Sequence, residues 1–564
     1  MIINTYKQAK KELSEIVYNA YRKAVANGEL VDAQLPMPAV EVPKDTANGD
    51  LSSTFALSAA KPLRMAPQKI SDILISNMEQ SPIFASYSKA GPGFINAVFS
   101  AKWYADTIEA VEIMGKNYGA DDMGNGQKVM IEFVSANPTG PMHLGNARGG
   151  VVGDTLASVL ERAGYSVWRE FYVNDAGNQV DLFGRSLEAR YIQKIKGEDA
   201  VEFPENGYHG DDIKELAAEL VEKYGESLLD MDEQDRRKKM VELGLSHNIA
   251  RMKADLERYG VKYDCWFLES SLHNSGYVAD TINMLKDRGM IYEKDDALWF
   301  RGTDFGMEKD EVMVKSNGFY TYYAVDIAYH RNKFCERNFD KVIDCFGADH
   351  HGHTIRFRAG MSALGLDPDR LEFVLFQLVD LMQNGQPVRM SKRTGKMISL
   401  SNLLDEISVD AARFFFNSRQ SDTHIEFDLD LAVKQDSDNP VYYVQYAHAR
   451  ICSMLKKFAS DGIAPKAASS LDFSLLNTAE EKALIKSIAS LPEEIRLAAR
   501  DREPARMTKY ITDLASSFHS FYNAVRIRDA EPEYRDARLK LADTARSVLE
   551  NVLDLLKISA PEQM

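Results

Sequence analysis

The chain has 564 residues, a formal net charge of −16 and an apolar fraction of 45 %. At roughly 100 to 200 residues per domain, this length predicts three or four domains, and the composition excludes a disordered chain. No apolar run approaches the roughly 20 residues that a bilayer span needs, and the N-terminus lacks the apolar segment of a secretory signal. The acidic charge argues against a protein that coats nucleic acid non-specifically, so any RNA contact is expected to be local.

The four cysteines are widely spaced and include no CxxC pair. This spacing offers neither a disulfide framework nor a cysteine zinc site. We therefore expect the reducing environment of the cytoplasm and no association with a membrane.

The N-terminal part combines helical and strand patterns. Apolar residues spaced three or four apart over residues 6–24 predict an amphipathic helix. Turn signals follow at residues 48–50 and 91–93, and the second leads into an apolar run, 94–99, that suits a strand. We assign residues 1–105 to a small α+β domain.

A larger α/β domain is predicted next, over residues 121–405. It opens with a buried strand predicted at 128–134, and short apolar runs return between helical stretches from 320 to 400. This alternation is typical of a parallel sheet with crossover helices. The sequence over about 185–300 is strongly charged and has a helical pattern, and we interpret it as an insertion.

After about residue 406 the pattern becomes almost wholly helical. The last predicted helix carries an apolar stripe from Leu541 to Leu556, which requires partner helices. Residues 406–564 are therefore expected to form a helical bundle.

The first chemical motif is IEFVSANPTGPMHLGNARGG, residues 131–150. An apolar strand runs into a proline- and glycine-rich turn, and His143, Gly145 and Asn146 then fall at the start of a helix. Free backbone N–H groups and the positive end of the helix dipole favour phosphate at such a place. The alternative is a helix cap with a surface histidine, but the flanking SANPTGP text argues against it.

The second motif is QPVRMSKRTGKMISL, residues 386–400, which holds four cations and no acidic residue: Arg389, Lys392, Arg393 and Lys396. Such a loop can close over a triphosphate and neutralise the charge that develops on leaving pyrophosphate. Taken alone, the loop is more typical of a solvated basic turn. The two motifs together are far more specific than either.

These two motifs resemble the H-x-G-H and K-M-S-K-S signatures of class I aminoacyl-tRNA synthetases. Within that class the chain resembles the arginyl-tRNA synthetase family over nearly its whole length, also through NGD…GPGFIN, through YVNDAGNQ at 172–179 and through the ending at 537–564. Two signature positions differ, because Asn146 replaces a histidine and Arg389 replaces a lysine. Asn146 still donates a neutral hydrogen bond and Arg389 keeps a positive charge.

The resemblance implies three parts: an N-terminal α+β domain, a Rossmann-like doubly wound α/β catalytic domain with an insertion, and a C-terminal all-α anticodon-binding bundle. It implies ATP-dependent ligation of L-arginine to arginine tRNA through an arginyl-adenylate, with release of pyrophosphate and AMP. ATP would be a substrate accompanied by Mg²⁺. The resemblance also suggests that tRNA must bind before arginine is activated, and we expect a monomer.

Residue roles follow from the resemblance. Catalysis is assigned to His143, Asn146 and Lys392. ATP binding is assigned to His143, Gly145, Asn146, His350, Met390, Ser391 and Lys392. Arginine binding is assigned to Glu132, Asn137, Tyr322 and Asp326.

The last two residues also fit by spacing. Tyr322 and Asp326 lie four apart on a predicted helix and share a face, so a phenol and a carboxylate can converge on one guanidinium. Without the resemblance, this aromatic stretch is more typical of a core helix.

Two further clusters have alternative interpretations. Tyr443 and Tyr446 share a helix face; the resemblance assigns them to tRNA, where bases splayed from a loop can stack, although core packing is the usual role of such a pair. The run DHHGH at 349–353 suggests a metal site, but the resemblance places it beside the nucleotide. We expect no metal site in the protein itself.

Three other functions compete with this interpretation. A class I synthetase for another amino acid, of which lysine is closest in charge, would keep both signatures but should lack the pair Tyr322 and Asp326. A catalytically silent tRNA-binding relative would lose His143 and Lys392, and both are present. A simpler nucleotidyltransferase would leave the C-terminal bundle without a role.

Overall fold

A computed structural model of the chain describes residues 2–348, 351–388 and 398–564, the side chains of Thr46 and His351 excepted. Within this part, no helix combines the length and the apolar character needed to cross a bilayer.

The N-terminal part is an antiparallel sheet packed against helices. The predicted first helix is present, and it begins where the Asn4 side chain accepts a hydrogen bond from the Lys7 N–H at 2.9 Å. The four strands pair in the order β1-β2-β4-β3. The elements are α1 (Thr5–Ala26), β1 (Val40–Glu41), β2 (Leu51–Ser53), α2 (Phe55–Leu63), α3 (Pro67–Asn77), β3 (Phe84–Ala90), β4 (Phe94–Phe99) and α4 (Ala101–Met114).

The middle of the chain contains a parallel sheet with crossover helices. Its elements up to the sheet's third strand are β5 (Lys128–Glu132), α5 (Leu144–Arg162), β6 (Ser166–Val173), α6 (Asn178–Lys196), α7 (Asp211–Tyr224), α8 (Glu233–Arg258), β7 (Cys265–Leu268), α9 (Glu269–Asn274) and α10 (Tyr277–Asp287). A small antiparallel sheet follows, with β8 (Ile291–Lys294), β9 (Ala297–Phe300) and β10 (Glu311–Val314).

The chain then returns to the large sheet and passes through a second small one. These elements are α11 (Tyr322–Arg331), β11 (Lys341–Gly347), α12 (His351–Ala363), β12 (Leu371–Phe376), β13 (Val379–Gln383), β14 (Gln386–Val388), α13 (Leu400–Glu406), α14 (Val409–Phe416), β15 (Ile425–Asp428) and α15 (Leu429–Ala432).

The order of the five parallel strands creates a crevice. That order is β12-β11-β5-β6-β7, so the chain builds outward from β5 on one side and later adds β11 and β12 on the other. Ligands of doubly wound sheets bind at such a switch point, beyond the carboxyl ends of the strands. The predicted Rossmann-like α/β fold is confirmed.

Four strands lie where the sequence pattern indicates helices: β8 and β9 of the small antiparallel sheet, and also β7 and β15, which join sheets through partners elsewhere in the chain. β7 falls inside the predicted insertion of about 185–300 and is an edge strand of the large sheet, while β15 falls after residue 406 and pairs with β13. Each has only four residues, and their partners are remote in the chain. Periodicity does not reveal a strand this short.

The C-terminal part is the expected helical bundle. Its helices are α16 (Pro440–Ser460), α17 (Ala479–Ala489), α18 (Leu491–Asp501), α19 (Ala505–Ala524) and α20 (Pro532–Leu556). The predicted apolar stripe of the last helix is buried.

Candidate active site

A cleft of about 950 Å³ lies at the carboxyl ends of the parallel strands, around the switch between β5 and β11. Its wall includes residues from the ends of β5, β6, β11 and β12 and from the start of α5. Seven residues that the sequence analysis assigns to ligands line this one cleft: Glu132, Asn137, His143, Gly145, Asn146, Tyr322 and Asp326.

The turn after β5 has an unusual backbone that fixes one of these side chains. Val134 and Ser135 have φ angles of 70° and 41°, in the left-handed region that a β-branched residue seldom adopts. The Ser135 hydroxyl donates to Glu132 Oε1 at 2.9 Å and accepts from the Tyr172 N–H at 3.1 Å. The strained turn therefore ties the Glu132 carboxylate to the neighbouring strand.

The helix start in the first motif is confirmed, and both signature side chains cap it. His143 Nδ1 accepts from the Gly145 N–H at 3.1 Å, while Asn146 Oδ1 accepts from the His143 N–H at 2.9 Å. The first bond requires the tautomer with its proton on Nε2, and burial lowers the pKa of His143, so the ring is a neutral donor near pH 7. His143 Nε2–H and the Asn146 amide N–H groups remain as donors at a helix N-terminus.

Helix α11 carries the predicted arginine-binding pair at its start. Tyr322 is 56 % exposed, whereas the following residues Tyr323, Ala324 and Val325 are buried. The first turn of the helix therefore places Tyr322 in the cleft and packs the next side chains in the core. Asp326 lies one turn after Tyr322, and both line the cleft, as their spacing predicts.

The Asp326 carboxylate is only partly ionised near neutral pH. Burial, together with the nearby carboxylates of Glu269 and Glu132, raises its pKa to about 7, and the opposing effects of His330 and Arg356 are smaller. No hydrogen bond to its side chain occurs in the described part of the chain. A cation placed beside it would restore its ionised form.

Other cleft residues carry no assignment from the sequence analysis. Tyr172 and Asn174 line the cleft and belong to the YVNDAGNQ segment. That segment contributes to the family resemblance, but the sequence analysis gives neither residue a role. The Tyr172 hydroxyl donates to Glu269 Oε2 at 2.8 Å, and burial raises the pKa of Glu269. Glu269 begins a short helix directly after β7. Because the sequence analysis did not predict β7, it gave no reason to place Glu269 at the end of a sheet strand. Tyr208, between α6 and α7, brings the predicted insertion to the cleft wall.

Several predicted residues lie outside the described part of the chain. They are His350, Met390, Ser391 and Lys392, together with Arg389, Arg393 and Lys396. The chain resumes close to the first motif, because the Leu400 N–H donates to the Met142 carbonyl at 2.9 Å and Ser399 pairs with His143. Residues 351–388 and the other described ranges hold no group of three or more His, Cys, Asp or Glu side chains that could bind a metal ion.

The two C-terminal tyrosines lie on α16 and differ in exposure. Tyr443 is half-buried, with its ring centroid 4.9 Å from that of His519, whereas Tyr446 is 40 % exposed. Tyr446 lines a second cleft of about 540 Å³, and Tyr443 does not. That cleft has a net positive wall, because four cations outnumber Asp461 and Asp529, and Arg528 pairs with Asp461 at 2.7 Å. The cations and the aromatic ring beside Tyr446 are Arg450, Lys457, Arg526, Arg528 and Tyr522.

Comparison with known proteins gives consistent matches along the chain. Residues 107–439 match the family model of the class I (R) tRNA synthetase catalytic domain, residues 7–99 that of the arginyl-tRNA synthetase N-terminal domain, and residues 444–564 that of the DALR anticodon-binding domain.

Whole-chain relatives agree with these family matches. Arginine–tRNA ligase of Acetivibrio thermocellus is 52 % identical over 562 residues, and that of Ruminiclostridium cellulolyticum 51 % over 562 residues; each match covers 100 % of both chains. The structure of Thermus thermophilus arginyl-tRNA synthetase aligns with a TM-score of 0.73 and 20 % identity, covering 98 % of this chain and 100 % of that one, which supports the fold. The chain belongs to the arginyl-tRNA synthetase family.

Proposed function

We propose that the chain joins L-arginine to arginine tRNA, with ATP as the second substrate and arginyl-adenylate as the intermediate. The observation that carries this proposal is the single cleft at the switch point of the sheet. One end of it holds a capped helix start suited to phosphate, and the other holds the carboxylates of Glu132, Glu269 and Asp326.

The acidic end suits a guanidinium. A guanidinium is a planar fork of five donors, which carboxylate oxygens meet better than any neutral group. Asp326 supplies oxygens without a described partner, and Glu269 is held in place by the Tyr172 hydroxyl. Tyr322 and Asn137 complete the proposed arginine site, with Glu132 fixed by Ser135 at the end of β5.

The helix start suits the phosphates of ATP. His143 and Asn146 offer neutral N–H donors beside Gly145, where the absence of a side chain lets a nucleotide approach the backbone. We assign His350, Met390, Ser391 and Lys392 to the same nucleotide on the strength of the family signatures. The contact between Ser399 and His143 supports this, since it brings the end of the second motif beside the first.

The reaction needs positioning and charge stabilisation rather than a covalent enzyme intermediate. An oxygen of the arginine carboxylate attacks the α-phosphorus of ATP, and the bond from that phosphorus to pyrophosphate breaks. A hydroxyl oxygen of the terminal tRNA adenosine then attacks the arginyl carbonyl, loses its proton, and displaces AMP. His143, Asn146 and Lys392 would stabilise the phosphate charge, and Mg²⁺ would enter on the ATP phosphates, with no dedicated protein cage.

The C-terminal bundle would hold the tRNA. The basic cleft that includes Tyr446 offers both cations for phosphates and aromatic rings for unpaired bases. It also meets the requirement that RNA contacts on this acidic chain be local. We assign Tyr443 to the same surface only through the family resemblance.

Four properties of the whole protein stay predictions: its domain boundaries, its oligomeric state, its requirement for tRNA and its location. We propose the domain division at residues 1–105, 121–405 and 406–564, with the insertion at about 185–300. A monomer and a requirement for tRNA in arginine activation follow from the family resemblance. A cytoplasmic location is consistent with cysteines that are all unpaired.

Amino-acid-dependent tRNA charging tests the proposal. Purified protein is incubated with ATP, Mg²⁺, total tRNA and each labelled amino acid in turn, and acid-precipitable label is counted. We expect arginine alone to be charged, and pyrophosphate exchange with arginine to require tRNA. Charging of tRNA with lysine would contradict the proposed function, and so would a failure to charge tRNA with any of the amino acids.

A further inference from the structure

Three buried carboxylates form a row across the parallel sheet, beneath α11. Asp344 of β11 is the register partner of Glu132 in β5, and Glu132 is the register partner of Glu170 in β6. At most 4 % of each residue is exposed. Register partners on neighbouring parallel strands direct their side chains to the same face, so the three carboxylates face the same layer of the fold.

Basic side chains that follow Asp326 along α11 and just beyond it pair with these carboxylates. They are His330 on α11, Lys333 in the turn that continues it, and Arg337 directly after that turn. The contacts are His330 Nε2 to Asp344 Oδ2 at 2.8 Å, Lys333 Nζ to Asp344 Oδ1 at 2.9 Å, Lys333 Nζ to Glu132 Oε2 at 2.7 Å, and Arg337 Nη2 to Glu170 Oε1 at 2.8 Å.

The helix changes geometry where Lys333 lies. α11 ends at Arg331 and continues as a π-helix over Asn332–Glu336. Such turns are rare and occur frequently at functional sites. The Lys333 side chain is fully buried there, and its ammonium lies 4.2 Å from the centroid of the Tyr329 ring. A completely buried lysine requires paired anions, which the carboxylate row provides.

The three carboxylates differ in their access to the cleft. Glu132 lines the cleft, whereas Asp344 and Glu170 do not. Lys333 does not line the cleft either. One oxygen of Glu132 accepts from Ser135 and the other from Lys333, which leaves lone pairs on both for a substrate donor. Burial raises the pKa of Glu132, and the Lys333 ammonium acts against that rise.

We propose that Lys333 is a positioning residue for arginine recognition, which holds the Glu132 carboxylate ionised and oriented toward the cleft without touching the substrate. The inference rests on the proposed function, because it takes Glu132 to be an arginine contact. Loss of the Lys333 ammonium leaves Glu132 with only the Ser135 hydroxyl. The carboxyl group then takes up a proton or turns away, and arginine loses a charged partner.

The first test compares two cations of the same row. KM for arginine and KM for ATP are measured in tRNA charging for wild type, Lys333→Met and Arg337→Met. We expect Lys333→Met to raise KM for arginine at least about tenfold, because a charged hydrogen bond contributes about that much, and to leave KM for ATP within about twofold. Arg337→Met is the matched control, since its partner Glu170 lies outside the cleft, and it should leave KM for arginine within about twofold.

KM separates this role from a purely structural one, because a smaller folded fraction lowers the rate but does not change KM. An unchanged KM for arginine in Lys333→Met would overturn the inference while wild-type charging of arginine upholds the proposed function. An equal rise in Arg337→Met would overturn it too. Wild-type protein that charges no arginine would overturn both.

A second comparison removes the charges of Glu132 and Lys333 together, while Asp344 keeps its contact with His330. Glu132→Gln alone is compared with Glu132→Gln combined with Lys333→Met, which should fold even if Lys333→Met does not. If Lys333 acts through Glu132, removing it in the Glu132→Gln background changes KM for arginine by less than about twofold. A further tenfold rise in the double variant would show that Lys333 acts by another route, and the inference would be wrong.

Discussion

Asp326 and Glu132 both line the cleft, but their charges are balanced differently. Glu132 is paired with Lys333 inside the fold, whereas the Asp326 side chain has no hydrogen bond within the described ranges. A cationic substrate therefore gains most from Asp326, because it supplies the charge that this carboxylate lacks. The difference between the two carboxylates follows from their burial and their pairing. It cannot be predicted from the positions of the two residues in the sequence.

Asp326→Asn should weaken arginine binding specifically. The substitution keeps the size of the side chain but removes the negative charge opposite a guanidinium, which is worth about 10- to 100-fold in KM for arginine. KM for ATP should change by less than about twofold. Steady-state charging kinetics with each substrate varied in turn provide the measurement, and a selective rise in KM for ATP would instead assign Asp326 to the nucleotide.

The titration of Asp326 should appear in the pH profile. Burial raises its pKa to about 7, so the free protein carries a largely protonated carboxyl below that pH and an ionised one above it. Because the proposed arginine contact requires the ionised form, kcat/KM for arginine should rise from about pH 6, pass its midpoint near pH 7 and level off about one pH unit higher. The same step should be absent from kcat/KM for ATP at saturating arginine. Asp326→Asn should flatten the arginine profile, and a step that survives in this variant would belong to another group.

At the scale of single elements, α5 shows why a signature residue can serve two purposes. Asn146 caps the helix through Oδ1 and keeps its amide N–H groups for a ligand. The sequence predicts a helix start at this place because the residue types that cap helices and those that bind phosphate coincide there. Pattern alone does not separate the two roles.

Asn146→Asp separates them. The aspartate keeps an acceptor for the His143 N–H and favours the helix dipole, so the melting temperature should not fall. It removes the N–H donors and adds a negative charge beside the phosphates, so KM for ATP should rise about tenfold or more. Asn146→Ala, which loses both cap and donors, is the control and should lower stability by about 1 kcal/mol. An unchanged KM for ATP in Asn146→Asp would reduce Asn146 to a cap.

Elements with a long, regular pattern were predictable, and short ones were not. The helix α1 and the strands β4, β5, β11 and β12 follow from periodicity and from flanking turn residues. β7 and β15 have four residues each and depend on partners far along the chain. The π-helical turn around Lys333 leaves no local trace in the sequence either, although it decides which side chains meet the carboxylate row.

At the scale of the whole molecule, buried ion pairs connect parts that no local pattern links. Arg413 on α14 is fully buried; it donates to Asp154 on α5 at 2.7 Å and to the carbonyl of Leu556 at the end of α20 at 2.8 Å. Lys557 contacts the same carboxylate at 2.6 Å. The helix α5, which begins at the cleft, is thus joined directly to the last helix of the bundle. A sequence shows these residues only as ordinary charges on helices, because their partners are more than a hundred positions away.

The last prediction concerns the far end of the molecule, where Tyr446 lines the basic cleft of the bundle and Tyr443 packs against His519. If the Tyr446 ring stacks on a tRNA base, Tyr446→Ala should cost about 1 to 3 kcal/mol of tRNA affinity, and Tyr446→Phe, which keeps the π-face, much less. Tyr443→Ala tests the assignment of the second tyrosine: because its ring is half-buried against His519, we expect a smaller loss of tRNA affinity and a larger fall in melting temperature than in Tyr446→Ala. tRNA binding and thermal unfolding are measured on the same variants. A folded Tyr446→Ala protein with wild-type affinity would remove this tyrosine from the RNA surface, while arginine activation at the distant cleft would be unaffected.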